Sequence, residues 1–547
     1  MPFSFALRIF KTRIIPMLLL ATLLSICVYL SGRILLFLIL DYAWYEKMLA
    51  LGLLGAEIFL MIHGFGYFLN VYHVLGGKKQ PRLDLKHPPD LDTFPEVAIV
   101  VSSFKEPLSV VEDTLVCFYN LTYPNKRIYF LDDTRYDQTG WSEQENVQYR
   151  KDINALCSRI GIDLFRRRWR GAKAGMINDF LQFLDGNPPE GFEFTSNSVQ
   201  GHPGGEKYII VFDADMNPLP NFVQPLLARM EANPDLAFIQ TPQYYINYEQ
   251  NRVARAAGLQ QAVFYEYICE GKSEQDAMFC CGTNVIFRRE ALRQVSGFDE
   301  SSVTEDFATS LRFHTHGWHS AYVNSVLAFG LGPDDLGGYF KQQFRWALGT
   351  VGLLRPIFKH LVHHPFQLPV AKWWEYLLSG THYFVGWVMF VLFICPMLYL
   401  LFGVPSYFAS PELYFMLYFP YVVLSLTVFA WTLTQRNYRL RELVSGIVLQ
   451  AVCFPVYMWA SLLAVLGVRG SFKVTPKGQN AFLPLVQLWP QIGIGLLCFA
   501  SLVWGLLRLY YEREPFYALI VNSLWCLYHF SILSFVLYFN HPSQTKG

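Results

Sequence analysis

The chain has 547 residues, 53% of them hydrophobic and only 16% charged, against a usual charged share of about 25%. Its 44 basic and 43 acidic residues leave no global positive field to hold nucleic acid. Ten cysteines without a CxxC pair, in so apolar a chain, exclude a disulfide scaffold and a disordered protein; only Cys280 and Cys281 are adjacent, and nothing near them spaces like a zinc site. A mean hydropathy of +0.24 predicts a membrane part and a water-soluble part in one chain.

The first elements are apolar runs at 14–38 and 48–75, each exceeding the about 20 residues that a bilayer crossing needs. The first runs too long for a cleaved leader and lacks a small-residue cleavage site. The chain is polar between 76 and 370, then apolar again at 378–403, 412–433, 443–467, 487–507 and 516–539. Arg8, Lys11 and Arg13 before the first run, and Lys78, Lys79, Arg82 and Lys86 after the second, put both flanks and the polar middle in the cytosol. Arg436, Arg439 and Arg441 precede 443–467, and Arg469, Lys473 and Lys477 follow it, so both of its flanks ask for the cytosol. This run is therefore expected to lie in the interface or re-enter, packed against protein. Six crossings are expected, with seven as the competing count.

In the polar middle, VAIVVS at 97–102, RIYFLD at 127–132, YIIVFD at 208–213 and LAFIQ at 236–240 predict strands. Helices are expected at 107–118, 172–185 and 219–231 between them. This alternation predicts an α/β domain with a mostly parallel sheet, whose ligands bind at the carboxyl ends of the strands. Three strands end in polar clusters: Ser102-Ser103, Asp132-Asp133 and Asp213-Ala214-Asp215. Two carboxylates one residue apart at a buried strand end repel each other, and a hard divalent cation is the simplest explanation. Asp132-Asp133 fits a nucleobase or ribose contact and equally a solvated turn. Gly171-Ala172-Lys173-Ala174-Gly175 opens a helix after the basic run Arg166–Arg170, which suits phosphate or a solvated basic face. Thr304-Glu305-Asp306 reads either as an N-cap with acidic residues in the first turn or as the carboxylate a general base needs. Gln342 and Arg345-Trp346 precede the membrane return; arginine gives planar donors for a diphosphate and tryptophan a flat face for a sugar, unless the pair is merely interfacial.

In this order the motifs, Asp132-Asp133, Asp213-Ala214-Asp215, Thr304-Glu305-Asp306 and Gln342-x-x-Arg345-Trp346, resemble the D, DxD, TED, QxxRW series of the membrane-integrated, processive family 2 glycosyltransferases, which include cellulose and hyaluronan synthases. Ala172–Gly175, Gln240-Thr241-Pro242, Phe279–Asn284 and Arg345–Gly349 resemble the KAG, QTP, FFCGS and RWALG segments of cellulose synthases. Phe472-Lys473-Val474-Thr475-Pro476-Lys477 fits the gating-loop pattern FxVTxK. The chain departs from the family at Thr134, where DDG is usual, and at Gly282-Thr283-Asn284, where GS stands, and a cyclic-di-GMP-binding domain is not expected after the last apolar run.

The resemblance implies an α/β GT-A domain joined to an α-helical transmembrane channel. It divides the chain into two membrane helices (1–76), a cytosolic catalytic domain (90–335), interfacial helices with QxxRW (336–375), the third and fourth membrane helices (376–440), an interfacial helix and gating loop (441–485) and two last membrane helices (486–540). It further implies inverting transfer from a UDP-sugar, UDP-glucose foremost, onto a growing polysaccharide. Asp306 would be the catalytic base, beside Glu305 and Thr304; Asp213 and Asp215 would hold Mg²⁺ or Mn²⁺. Ser103, Glu106, Asp132, Asp133, Lys173, Gln342 and Arg345 would bind the nucleotide. Cys281, Gly282, Thr283 and Trp346 would bind the acceptor, and Phe472, Val474, Thr475 and Lys477 would close the site. The expected product is β-1,4-glucan, with a β-1,3- or mixed-linkage glucan as the alternative. A hyaluronan- or chitin-type synthase or a non-processive lipid-linked transferase stands further off. The implied setting is the plasma (inner) membrane, with an extracytoplasmic subunit or a homo-oligomer as possible partners. Aromatic residues make up 17% of the chain, and Trp346, Trp373, Trp374, Tyr376, Tyr383 and Trp387 are candidate linings for the polymer's path.

Overall fold

The computed structural model describes residues 15–76, 91–136, 142–198, 202–407, 410–468, 482–512 and 515–541. Two apolar helices come first, α1 (Ile15–Ile39) and α2 (Trp44–Gly76). The middle then alternates: β1 (Val97–Ser103), α3 (Leu108–Tyr119), β2 (Lys126–Asp132), α4 (Glu143–Ile160), β3 (Asp163–Arg166), α5 (Lys173–Leu184), β4 (Glu193–Thr195), β5 (Tyr208–Asp213), β6 (Met216–Pro218), α6 (Val223–Ala232), β7 (Leu236–Gln240) and β8 (Tyr244–Tyr245). After α7 (Arg252–Val263) the helix widens into a π-segment (Phe264–Cys269) and continues as α8 (Glu270–Glu274). The domain closes with β9 (Val285–Arg288), α9 (Arg289–Gln294), α10 (Glu305–Thr315), β10 (His319–Tyr322) and β11 (Ala328–Gly330).

The main sheet has the order β10-β7-β9-β5-β1-β2-β3-β4, with β6-β11-β8 as a small second sheet. The four strands expected from sequence are there, each within a residue of its expected bounds. Along β1 and β5 the side chains alternate between two helix-covered faces: Val97, Ile99, Val101, Ile210 and Phe212 on one, Ala98, Val100, Ile209 and Val211 on the other. Burial on both faces is why these strands read as unbroken apolar runs. The central pairs β5-β1-β2-β3 are parallel. Two strands break the pattern: the edge strand β4 runs antiparallel to β3, and β9 runs antiparallel between β5 and β7. The β9 residues VIFR are too few to declare a direction. The helix expected from residue 219 starts at Val223, and α4 was not foreseen because only Ile153, Leu156 and Cys157 of its 18 residues are buried.

The remaining helices are α11 (Leu336–Gly352), α12 (Leu354–His363), α13 (Val370–Thr381), α14 (Val385–Phe402), α15 (Pro411–Thr434), α16 (Leu440–Val452), α17 (Phe454–Val465), α18 (Trp489–Tyr511) and α19 (Phe516–Asn540). Among the described residues six helical stretches are long and apolar enough to cross a membrane: 16–39, 44–75, 370–402, 412–434, 485–511 and 516–540. The run at 443–467 is broken, with α16 and α17 meeting at a 49° bend; counted as one span, they make a seventh. Gly446 on α16 lies so near α7 that a Cβ there would stand 2.8 Å from the Gln260 nitrogen. Two candidate linings turn out to be core: Trp373 and Tyr376 are 4% and 2% exposed and pack with Phe307 and Ile357. Their α13 face is covered by the catalytic domain, a contact no periodicity in the segment announces.

Candidate active site

The parallel register sets the site. Ser103 lies beside Asp132 and Ser102 beside Asp213, so the carboxyl ends of β1, β2 and β5 form one row. The two aspartates ending β2 are 3% and 8% exposed, which rules out a solvated turn. Asp132 accepts from Arg166 Nε at 2.7 Å, from the Tyr136 hydroxyl at 2.6 Å and from the Thr134 amide at 3.2 Å. Asp133 meets Arg167 at 3.3 Å, and Arg167 also meets Asp179 at 3.0 Å. Burial pushes the Asp133 carboxyl up to about 7, in spite of Arg167 and Arg135. Arg170 pairs with Asp179 and, at 2.8 Å, with Glu300. The basic run is therefore more than a solvated face: three of its arginines are latched to acids, two of them buried. Thr134 is absent from the positive-φ positions, and its hydroxyl accepts from the Lys105 amide at 3.4 Å. Ser103 is buried. The half-buried Glu106 receives the Tyr149 hydroxyl on its backbone oxygen at 2.9 Å.

Lys173 does not stand alone at its helix start. It is ion-paired to Asp213 and donates to the Gly282 carbonyl at 2.8 Å, joining β5 to the 279–284 segment. Burial pulls its pKa down, but Asp213, Glu305 and Asp306 outweigh this and hold it raised. The helix start is tight: a Cβ on Gly175 would stand 2.6 Å from the Arg170 oxygen. The same segment is clamped by β7. Gln240 Nε2 donates to the Thr283 oxygen at 2.7 Å, and the Cys281 amide donates to Gln240 Oε1 at 2.8 Å. Thr283 Oγ1 accepts from the Asp213 amide at 2.9 Å, a bond that serine would equally supply. Gly282 has φ +80°, and a Cβ on it would come 3.0 Å from Asp306 Oδ2. Only glycine gives both that backbone and an open approach to the carboxylate.

Asp306 and Glu305 open α10. Thr304 occupies the N-cap position, but its side chain makes no capping bond; its hydroxyl faces Ser302 Oγ at 3.2 Å instead. The cap reading of the motif is thus set aside. Burial, then the adjacent Glu305, push the Asp306 carboxyl up to about 7 against Lys173 and Arg345. Glu305 is raised too, by burial, against the same two cations. Arg345 reaches this field from α11. Gly349, one turn further on, lets α11 press on the motif: a Cβ there would stand 2.7 Å from Thr304 Oγ1 and 2.9 Å from Val303 Cγ2. Gln342 hydrogen-bonds Tyr245, whose hydroxyl is held well above the usual phenol range by burial and then by Asp215. Trp346 is half-buried on the same helix.

The structure thus brings together Asp213, Lys173, Gly282, Thr283, Glu305, Asp306 and Arg345. Tyr245 hydrogen-bonds Gln342 and lies within the electrostatic field of Asp215. Cys281 is half-buried in the clamped segment. Phe472, Val474, Thr475 and Lys477 lie outside the described residues. Sequence reasoning missed Tyr245, in the aromatic run following Gln240-Thr241-Pro242, and Asp179, whose only signal is its place nine residues after Arg170. The two ordered carboxylates Asp213 and Asp215, on a strand end whose Asp213 side chain is 46% exposed, fit a divalent cation shared with a diphosphate.

Two family models match the chain: Glycosyl transferase family 2 over residues 98–296 and Glycosyl transferase family group 2 over residues 208–434, together more than half of it. Cellulose synthase 2 of Novacetimonas hansenii is 26% identical over 497 residues, 88% of this chain and 28% of the relative. The UDP-forming cellulose synthase catalytic subunit of Pseudomonas fluorescens is 26% identical over 515 residues, 90% of this chain and 62% of the relative. The chain thus spans between 28% and 62% of the length of these relatives. A solved mannosyltransferase from Pyrobaculum calidifontis, in complex with GDP-Man and Mn²⁺, is 14% identical, with a TM-score of 0.49 over 77% of this chain and 99% of that one.

Proposed function

The chain belongs to the family 2 glycosyltransferases, of the cellulose synthase-like kind, and on that premise we propose that it is a processive, inverting synthase that polymerises UDP-glucose into β-1,4-glucan and passes the polymer through its membrane helices. Its fold is an α/β GT-A domain with apolar helices before and after, and it is an integral membrane protein. The observation that carries the reading is Asp306. It is a carboxylate at a helix start, pushed up to about 7, facing the open Cα of Gly282 and within the field of Lys173 and Arg345. That is the pKa a general base needs at neutral pH.

In this reading Asp306 takes the proton of the acceptor hydroxyl as the sugar's anomeric carbon is attacked from the face opposite the diphosphate. Asp213 and Asp215 would hold Mg²⁺ or Mn²⁺, whose charge would stabilise the diphosphate leaving group. Gln342 and Arg345 grip the diphosphate. Lys173 fixes Asp213 relative to the acceptor segment. Asp133, with Ser103, Glu106 and the Arg166-locked Asp132, forms the nucleotide's side of the site. Trp346, Cys281, Gly282 and Thr283 bound the acceptor sugar. Phe472, Val474, Thr475 and Lys477, which match the gating-loop pattern, would serve to exclude water from the nucleotide. The catalytic domain lies on the cytosolic face of the plasma (inner) membrane, with an extracytoplasmic accessory subunit or a homo-oligomer as its assembly. Incubating membranes with UDP-glucose and digesting the product with linkage-specific glucanases tests this. Release by a β-1,4-glucanase is expected, whereas release only by a β-1,3-glucanase would make the enzyme a curdlan-type synthase.

A further inference from the structure

We propose that the buried Lys272–Glu375 ion pair is a positioning device that ties the acceptor segment to the membrane helices and so sets how long the polymer is retained. The inference rests on the processive reading above. Lys272 in α8 and Glu375 in α13 are ion-paired at 2% and 1% exposure. Lys272 Nζ also donates to Ser379 Oγ at 3.0 Å. Asn70 of α2 joins them, donating to Glu375 Oε1 at 3.3 Å and accepting from Gln275 Nε2 at 3.3 Å. Gly271 leaves room for this: a Cβ there would stand 2.6 Å from Asn70 Cα. One cytosolic helix is thereby locked to α2 and α13, both parts of membrane-crossing stretches.

The lock continues along the chain toward the site. Upstream, Arg436, just beyond α15, meets Glu266 at 3.2 Å and Glu270 at 2.6 Å. Downstream, Asp276 meets Lys372 of α13 at 2.6 Å. The next residues are Phe279 to Asn284. Lys272 Nζ lies 5.5 Å from the Phe279 ring centre. Phe279 packs edge-on against Phe307 at 4.9 Å, and Phe307 lies 5.4 Å from Tyr376. Tyr376 also reaches His314 Nδ1 at 2.7 Å, on the helix that Asp306 opens. So consecutive residues of α13 hold Lys272, which lies against Phe279, and the base helix, through Phe307 and His314. A fully buried ion pair adds little net stability over an apolar pair of the same size, but losing one partner strands a charge. Its position between membrane helix and acceptor segment is what distinguishes it. Misplacement by about 1 Å costs up to about a hundredfold in a transfer step.

The test uses the full chain in membranes with UDP-glucose, comparing wild type, Glu375→Gln, Lys272→Met and the double variant, with Lys272→Arg as the conservative control. Product length, UDP released per glucose incorporated, and KM for UDP-glucose are measured. The expected result is a product about tenfold shorter and UDP release exceeding incorporation, with the donor KM within about twofold of wild type and length recovered in Lys272→Arg. Because these variants could fold poorly, Lys372→Met, which cuts only the Asp276 link, is run alongside and is expected to shorten the product less. A proportional fall in incorporation and UDP release at unchanged product length, in any variant that retains UDP binding, overturns the proposal alone. A wild-type enzyme that adds a single sugar overturns this proposal and the processive reading together.

Discussion

The two halves of the site are held in different ways. The donor half is built from strand ends and secured within its own domain: Arg166 on Asp132, Arg167 on Asp133 and Asp179, Lys173 on Asp213. The acceptor half, Phe279–Asn284 with α10 and α11, leans on helices that belong to the membrane part. A nucleotide-sugar arrives anew each cycle, and a rigid, self-contained sheet edge suits it. A polymer that stays bound must keep register with its exit, and contacts to membrane helices suit that. Lys173 is the bridge between the halves, since its ammonium touches both Asp213 and the Gly282 carbonyl.

The contrast can be broken at several points. The largest effect is expected on the donor side: EDTA should stop sugar transfer altogether, and added Mg²⁺ or Mn²⁺ should restore it. Incorporation of labelled sugar that ignores the chelator would remove the metal role from Asp213 and Asp215. Next, Asp306→Asn should lower incorporation by about 10²–10⁴-fold while UDP binding, followed by calorimetry, stays at the wild-type level. Polymer made at the normal rate would put the base elsewhere. The third effect is of pH. Asp306 must be ionised to accept a proton, and its carboxyl is pushed up to about 7, so the ionised fraction falls as pH drops below 7. A rate declining about tenfold per unit below pH 7 and flat above it is expected; a profile flat down to pH 5 would contradict it. The smallest is Gly349→Val, which crowds Thr304. It should lower turnover about tenfold at an unchanged donor KM, whereas Gly352→Ala, with nothing within 4 Å of the added Cβ, should be silent.

How much of this was legible varies by element. The strands β1, β2, β5 and β7 and their terminal acids were readable because a doubly covered parallel sheet writes unbroken apolar runs and leaves its polar residues at the ends. The antiparallel β9 was not, since four residues carry no sign of direction. Asp132-Asp133 and the Arg166–Arg170 run were readable as separate charge clusters. That each neutralises the other was not, because the partners lie 34 residues apart. Trp373 and Tyr376 looked like lining and proved to be core, since a helix at a membrane surface has the same composition whether its aromatic face meets a sugar or a protein.

The sequence by itself determined that the chain has membrane and α/β parts, the order of its acidic motifs and their place at strand and helix ends, because hydrophobic periodicity and local chemistry are properties of neighbouring residues. The tertiary structure alone decided that Lys173 closes on Asp213, that Gly282 opens onto Asp306, and that Glu375 of a membrane helix holds Lys272 near the acceptor segment. These are contacts between residues 24 to 103 positions apart, and only the folded chain brings such distant groups within reach of one another.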